Sequence, residues 1–478
     1  MSQEPARTVV VLAAGEGKRM RSAQPKVLHP LLGRSLLGHV LVAAEGLAAD
    51  RTIVVVGVGA DQVTAHLAEI APKATPVVQS KQRGTGHAVR TALTAAGAPE
   101  PRGTVVVLYG DTPLLRPETV EALVAAHEAS GAAATLLSAE VDDPTGLGRI
   151  VRGANGTLAR VVEERDATPR QRAIREINAG VYAFDAALLQ ATLGELTTDN
   201  DQGEEYLTDV PGLLVAAGHR VEVQRTADPV ETRGCNDRAE LAALRALLRD
   251  RVNAAWMAAG VTILDPATTW IDVTATLGRD AVIDQNTQVR GASMIGEGAT
   301  VGPDVSLIDT VVGDGASVVR AHAVQSVIGP GAQVGPYASL RPGSHLAEGA
   351  KVGTFVETKN SQIGEGAKVA HQAYIGDATI GPRANIGAGT IVVNYDGLTK
   401  HHTQIGEAAF VGSNSNLVAP VEVGDGAYVA AGSTVVQKVP AGALAVARGQ
   451  QRNIQGWVQR RRPGTRSAEA AARAADGE

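Results

Sequence analysis

The run Ile405–Thr434 reads IGEAAF VGSNSN LVAPVE VGDGAY VAAGST, with an aliphatic residue opening every sextet. A period of six fits neither the 3.6 of an α-helix nor the 2 of a strand. It predicts a solenoid whose turns stack one aliphatic residue per short strand. Val435 continues the series, and the same register runs through Ile283, Val289, Ile295, Val301 and Leu307 and through Ile328, Val334, Leu340, Leu346 and Val352. Such a coil has a narrow core and many tight turns, which accounts for 54 glycines beside 3 phenylalanines. The register slips between Val352 and Ile363 and between Ile375 and Ile380. It breaks at VNYDGLTKHHTQ, Val393–Gln404, where a loop is expected to leave the coil. Loops on a rigid scaffold are where chemistry gathers.

Upstream, from Thr8 to about Arg225, apolar runs such as TVVVLAA, TIVVVGV and TVVVLYGD alternate with helical patterns such as SLLGHVLVAAEGLA and PETVEALVAAHEAS. This alternation predicts βαβ units with a mostly parallel sheet covered on both faces, and ligands at the carboxyl ends of its strands. Leu241, Leu244, Leu248, Val252 and Trp256 recur at spacings of three and four, so a connecting helix is expected over Asp237–Met257. At 478 residues the chain exceeds what one core serves. The expected divisions are 1–236, a linker helix at 237–262, the coil at 263–452 and a tail at 453–478. The stretch QRRRPGTRSAEAAARAADGE, Gln459–Glu478, is polar and short of apolar bulk, and is read as disordered.

Net charge is -6 and the isoelectric point about 6.0, with no lysine-arginine block large enough for a nucleic-acid footprint. Small-molecule partners are expected, with neither nucleic acid nor membrane. Cys235 is the single cysteine, so no intramolecular disulfide can form. No apolar run approaches the roughly 18 residues of a spanning helix. The start MSQEPARTVVVL lacks the charged and apolar regions of a signal peptide, so a cytoplasmic location is expected.

The stretch LAAGEGKRM, Leu12–Met20, looks built for phosphate. It is not a dinucleotide fingerprint, because Met20 stands three after Gly17, and it is not a P-loop, because Arg19 follows Lys18. An ordinary strand-to-helix turn with incidental basic residues is one reading. The continuation GEGKRMRSAQPKVLHP favours another, in which backbone amides at the glycine turn hold phosphate oxygens, Arg19 grips them bidentately and Lys26 adds a point charge.

LAAGEGKRM with PKVLH resembles the signature of sugar-phosphate nucleotidyltransferases. Gln79 with QRGTGHA, then YGDTPLL, PTGLGRI, VVEERDA, EINAGVY and GCNDRAEL, in that order, resemble one branch of them. That branch is the bifunctional N-acetylglucosamine-1-phosphate uridyltransferase and glucosamine-1-phosphate acetyltransferase family. The resemblance runs to about Arg452 and implies an α/β Rossmann-like nucleotidyltransferase domain followed by a left-handed parallel β-helix of hexapeptide repeats. The family usually carries Thr or Ser at Lys18.

For uridylyl transfer the resemblance implies that Asp111 and Asn236 hold Mg²⁺. Asp111 ends an apolar strand with the hard oxygen such a metal needs, although a lone Asp there is also an ordinary helix N-cap. Leu12, Ala13, Ala14, Gly15 and Lys26, with Gln79, Gly84 and Thr85 on the uracil edge, are implied to hold the nucleotide. Tyr109, Gly148, Glu163 and Asn178 are implied to hold the N-acetylglucosamine. Cys235 is read as a small packing residue.

For acetyl transfer from acetyl-CoA, His371 in KVAHQAYIGD is implied as the base, with Glu357 orienting its imidazole. Arg341 and Lys359 are implied to bind the sugar phosphate of glucosamine 1-phosphate, and Tyr374 and Asn385 the sugar. Asn394 and Tyr395 in the extruded loop, with Ala388, Ser413, Ala431 and Arg448, are implied to contact acetyl-CoA. His401 and His402 are read as loop surface. A homotrimer is implied, and a product, UDP-N-acetylglucosamine, that feeds cell-wall precursors. Two other readings stay open: a nucleotidyltransferase whose coil serves only assembly or regulation, and a non-catalytic scaffold.

Overall fold

Apolar residues alternate between the two faces of the first strands, and two separate cores result. The computed structural model describes residues 6–95 and 100–475. Strands β1 (Arg7–Ala13), β2 (Arg51–Val56), β3 (Thr75–Val78), β4 (Thr104–Tyr109), β5 (Ala134–Glu140), β6 (Glu176–Asp185) and β7 (Val221–Arg225) lie in the order β7-β5-β6-β4-β1-β2-β3 within a nine-stranded sheet. Val10, Val55, Val107 and Phe184 pack into one core, and Val9, Val11, Val54 and Leu108 into the other. A strand buried on both faces must be apolar on both, which is why these runs read as continuous valine.

β1 pairs in parallel with both β2 and β4, as the alternation predicts. β6 departs from it, running antiparallel to β4 and to β5 with an irregularity between Asn178 and Tyr182. Strand direction depends on how the chain returns to the sheet, and the local pattern carries no record of that.

A helix at Arg238–Ala258 matches the expected connector, and Asp237 caps it by accepting from the backbone N–H groups of Ala239 and Glu240. Leu241, Leu244 and Leu248 pack with Met20, Leu31 and Leu114, and Trp270 and Val273 lie against the same cluster. The helix is therefore part of the first compact unit, which runs to Leu277 and includes Ile283–Ser293. The unit boundary falls inside the coil, beyond the expected division at 262.

In the second unit the six-residue period becomes short parallel strands in register. Val301, Val318, Val334, Val352, Val369, Ile386, Val411 and Val429 form one inward column. All of them are buried, and each side chain fills the narrow core of one turn. Corners recur at left-handed backbone angles, taken by Gly315 (φ 62°) and Gly331 (φ 63°) at one corner and by Tyr337 (φ 58°) and Phe355 (φ 56°) at another. A bulky residue rarely adopts that conformation, and here the two rings stack at 5.4 Å. The extruded loop is a small hairpin, with Tyr395 bridged to Lys400 and Asp396 accepting from the amides of Leu398 and Thr399.

The expected disorder of 453–478 is not what the structure shows, because Trp457–Arg461 and Arg466–Ala475 are helical. The run SAEAAARAA is made of strong helix formers, so low apolar content did not preclude local order. The last three residues lie outside the described set.

Gly353 lies in a strand where an added Cβ would stand 2.0 Å from the Ala370 carbonyl oxygen. Gly353→Ala should destabilise the coil by about 1–3 kcal/mol or more. Denaturant unfolding followed by circular dichroism checks this, and an unchanged transition would show that the coil relaxes at no cost.

Candidate active sites

The carboxyl ends of β1 and β4 open on a cavity of about 370 Å³. Of the residues expected there, Leu12, Ala13, Ala14, Gly15, Lys26, Gln79, Gly84, Thr85, Tyr109 and Asp111 line it. Gly17 (φ 60°) makes the turn, and a Cβ on it would stand 2.7 Å from the Lys26 Cβ, so glycine here lets Lys26 come close. Lys26 Nζ donates to Asp111 Oδ2 and lies 3.5 Å from Asn236 Oδ1. Arg19 is exposed on a short 3₁₀ turn and has no partner among the described residues, while Lys18 is ion-paired with Glu16. Gln79 is buried, with its amide nitrogen on the Gly84 carbonyl at 3.2 Å and on His87 Nδ1 at 2.9 Å.

Gly148, Glu163 and Asn178 do not line that cavity but form a cluster of their own in the same unit. The Asn178 N–H donates to the Gly148 carbonyl at 2.9 Å, and the Glu163 carboxylate lies 3.5 Å from where a Cβ on Gly148 would stand. The cluster reaches the cavity through Tyr109, whose ring lies 6.4 Å from that of Tyr182, the acceptor of the Asn178 amide at 2.6 Å. Gly180 (φ 73°) is obligatory beside it, because a Cβ there would come 2.7 Å from the Tyr109 ring.

In the coil the register draws a line. Val369 pairs with Ile386, Ile386 with Val411 and Val411 with Val429, so two residues on from each, His371, Ala388, Ser413 and Ala431 succeed one another turn by turn. Arg448 lies one residue past the next position of this line, beside Gly432, with its Cδ 4.0 Å from where a Cβ on Gly432 would stand. His371 is exposed at the head of this line. The expected contact of Glu357 with His371 is not made, and the Glu357 carboxylate accepts instead from Arg341 at 2.9 Å. Register explains this, since Glu357 faces Tyr374, which lies beyond His371 and past the corner at Gln372. Arg341 sits beside Lys359 through its N–H to the Thr358 carbonyl. Asn394 is buried and donates to Asp377 at 2.5 Å, with the Tyr374 hydroxyl 3.5 Å away. Tyr395 is exposed, and Asn385 lies on another row, paired with Lys368 and Phe410. His401 and His402 turn to different partners, Asp396 at 2.7 Å and Thr379 at 3.0 Å.

Residues 9–193 match the MobA-like NTP transferase domain, and residues 402–437 match the bacterial transferase hexapeptide of six repeats. The chain is similar to the bifunctional protein GlmU of Streptomyces avermitilis, at 56% identity over 464 residues, covering 97% of this chain and 96% of that one. GlmU of Streptomyces coelicolor is 56% identical over 474 residues, covering 98% of each. GlmU of Thermobifida fusca is 56% identical over 476 residues, covering 99% of this chain and 98% of the other. The chain belongs to the bifunctional GlmU family.

Electrostatics separates the members of the two clusters in this GlmU-family chain. Burial pushes the Tyr109 hydroxyl up, and the Glu163 charge adds to it, so the phenol stays a donor. Burial also raises Glu163, against the hydrogen bond from Thr208. Burial pushes the Cys235 thiol up to about 11, partly offset by Lys26, and the residue is an inert packing group. In the coil, Lys359 is lowered by the adjoining Lys400 and further by Arg341. Burial raises Asp377, but hydrogen bonds from Asn360 and Asn394 and the charges of Lys400 and Lys359 bring it below its ordinary value. Among the described residues no group of three His, Cys, Asp or Glu could hold a metal by itself.

Several of these residues escaped the sequence reading. Gln82, which donates to the Ala14 carbonyl at 2.7 Å and lines the cavity, lies within the quoted QRGTGHA and was the easiest to find. Thr208, Asp377 and Lys400 act through residues distant in sequence and carry no local signal.

The Thr208 hydroxyl donates to Glu163 Oε1 at 2.9 Å and so favours the ionised carboxylate. Thr208→Val removes that donor, and Glu163 should titrate at higher pH than in the parent, read from its carboxyl carbon by NMR. The native pKa of Glu163 already lies above the unfolded one, so native stability falls as pH rises through that window, and the variant should widen it. A titration unchanged or moved to lower pH would remove the hydroxyl from this role.

Proposed function

We propose that this chain makes UDP-N-acetylglucosamine in two reactions. The coil transfers acetyl from acetyl-CoA to glucosamine 1-phosphate, and the first unit joins N-acetylglucosamine 1-phosphate to UTP with release of pyrophosphate. One observation carries the reading. A single chain holds both the Lys26–Asp111–Asn236 constellation at the strand ends and His371 at the head of the Ala388–Ser413–Ala431 line. Nucleotide and acetyl-CoA substrates also accord with membership of the bifunctional GlmU family. No helix among the described residues is long and apolar enough to cross a membrane. The reactants are water-soluble metabolites, so the reading places the enzyme in the cytoplasm, supplying cell-wall precursors. The hexapeptide match supports a homotrimer.

In uridylyl transfer a phosphate oxygen of the sugar attacks the α-phosphorus of UTP and pyrophosphate leaves. Asp111 and Asn236 would hold Mg²⁺, and the donor set fits, because the Lys26 ammonium already sits between two hard oxygens from these residues. When bound, the ion neutralises phosphate charge in the transition state. Lys26 offers a fixed cation, and Arg19, with no partner among the described residues, is placed to grip the triphosphate. Gln79, Gly84 and Thr85 face the base, and Glu163 and Asn178 the sugar hydroxyls and amide.

In acetyl transfer the amine of glucosamine 1-phosphate attacks the thioester carbonyl, His371 takes the proton and the CoA thiolate leaves. Arg341, Lys359 and Lys400 concentrate positive charge, and the lowered Lys359 reflects that crowding, which a phosphate dianion relieves. Glu357 is proposed to act on the Arg341 side of this group, where its ion pair lies. Tyr374, Asn385, Asn394 and Tyr395 complete the acceptor and thioester contacts.

His371→Ala should lower acetyl transfer about 10²–10⁴-fold and leave uridylyl transfer within about twofold. Asp111→Ala should do the reverse, with free CoA and pyrophosphate assayed on one preparation. Loss of both activities in either folded variant would refute separate sites. A parent chain that released pyrophosphate but no CoA would favour a coil used for assembly or regulation alone. Removing divalent metal with EDTA should stop pyrophosphate release, and release that continued undiminished would remove Mg²⁺ from the scheme.

A further inference from the structure

Arg149 is buried as no other lysine or arginine among the described residues is, with 1% of its side chain exposed. A guanidinium is expensive to bury, and an apolar side chain of the same volume would fill the space at no such cost, so its retention asks for a use beyond packing. Its backbone faces Val162 and Ile177 at the meeting of three strands. The residue before it is Gly148, the one after Val162 is Glu163, and the one after Ile177 is Asn178. These three are the polar groups of the sugar cluster.

The side chain ties the segments that carry Gly148 and Glu163, and Asn178 is held to the first of them by its N–H to the Gly148 carbonyl. One Nη donates to the Leu147 carbonyl, immediately before Gly148. The other meets Glu164 Oε2 at 2.5 Å, immediately after Glu163, and the Arg172 carbonyl at 3.4 Å. Nε has no partner among the described residues, so there the group is tied by its two Nη groups. Two parallel contacts of this kind fix orientation in a way a lysine cannot.

We propose that Arg149 is a positioning residue of uridylyl transfer, a buried strut that holds Gly148, Glu163 and Asn178 in the geometry that accepts the N-acetylglucosamine moiety. The inference rests on the uridylyl-transfer reading above. It gives Arg149 no contact with substrate, and its effect falls on the sugar phosphate and not on UTP, because the nucleotide cavity is lined by other loops.

Arg149→Met, Arg149→Lys and Glu164→Gln test it in the full chain, with KM measured separately for N-acetylglucosamine 1-phosphate and for UTP, and far-UV circular dichroism and thermal unfolding as the check on folding. Arg149→Met should raise the sugar-phosphate KM about tenfold to a hundredfold with the UTP KM within about twofold. Arg149→Lys should fail to restore it, and Glu164→Gln should shift the same constant in the same direction by less. A role in packing alone would leave both constants unmoved in Arg149→Met, and that result overturns the proposal, as do equal shifts in both. If Arg149→Met does not fold, Glu164→Gln decides, and an unmoved sugar-phosphate KM overturns the proposal. A parent chain without uridylyl transfer would bring down the parent reading and this inference together, whereas an active parent with unmoved variants brings down this inference alone.

Discussion

The Lys26 ammonium held between the Asp111 carboxylate and the Asn236 amide oxygen is the contact that joins three distant segments of the first unit at its strand ends. It joins residues 85 and 210 positions apart and is mostly shielded from water, with 14% of the lysine and 20% of the aspartate side chain exposed. Each partner is fixed by its own backbone. Gly17 leaves room for Lys26, the Asp111 carbonyl accepts the Cys235 N–H at 3.0 Å, and the Asn236 N–H donates to Glu240 in the first turn of the long helix. A shielded ion pair adds little stability once desolvation is counted. Its consequence is electrostatic, since it sets a cation and two oxygen donors at the strand ends, where the cavity opens.

The coil solves the same problem by repetition. A fixed period returns each side chain to the same corner one turn later, so a line of small residues such as Ala388, Ser413 and Ala431 arises from sequence spacing alone. Such a line can lodge an extended ligand, but it cannot concentrate charge. Charge gathers where the repeat is broken, because Lys400 and Asn394 come from the extruded hairpin and meet Lys359 and Asp377 from regular turns. The hairpin's own Asp396, held low first by the Thr399 amide and then by His401, keeps that insert in one shape.

The parts readable from sequence were those with a local rule. The period of six identified the coil, the alternating runs identified the α/β unit, and spacings of three and four placed the helix within one residue at each end. Lys26, Asp111 and Asn236, each named from a motif, lie within reach of one another. Where partners were chosen by register, the reading failed. Glu357 pairs with Arg341 and not with His371, and nothing in FVETKN says which neighbour a turn of coil will supply. The antiparallel course of β6 and the helices near the end of the chain were missed for a related reason. Local composition states what a segment tolerates, and tertiary context chooses among the options.

One segment links the loop at the cavity to the turn that carries Glu163. The Glu205 N–H donates to the Arg83 carbonyl at 2.7 Å, the Gly86 N–H to the Glu205 carbonyl at 2.8 Å, and the Leu207 N–H to the Thr85 hydroxyl at 3.0 Å. A residue later Thr208 bonds Glu163, and at the other end the Asp201 N–H meets Asp166 at 2.9 Å. The loop carrying Gly84 and Thr85 and the turn carrying Glu163 are thus stitched to one short stretch of backbone. A displacement of that stretch would strain hydrogen bonds at both, in partly buried surroundings where an unpaired group is costly. Arg149 braces the same turn at the next residue, tying Glu164 where Thr208 ties Glu163. The sugar cluster is therefore held between a strut and a strap, and only the strap also touches the nucleotide loop.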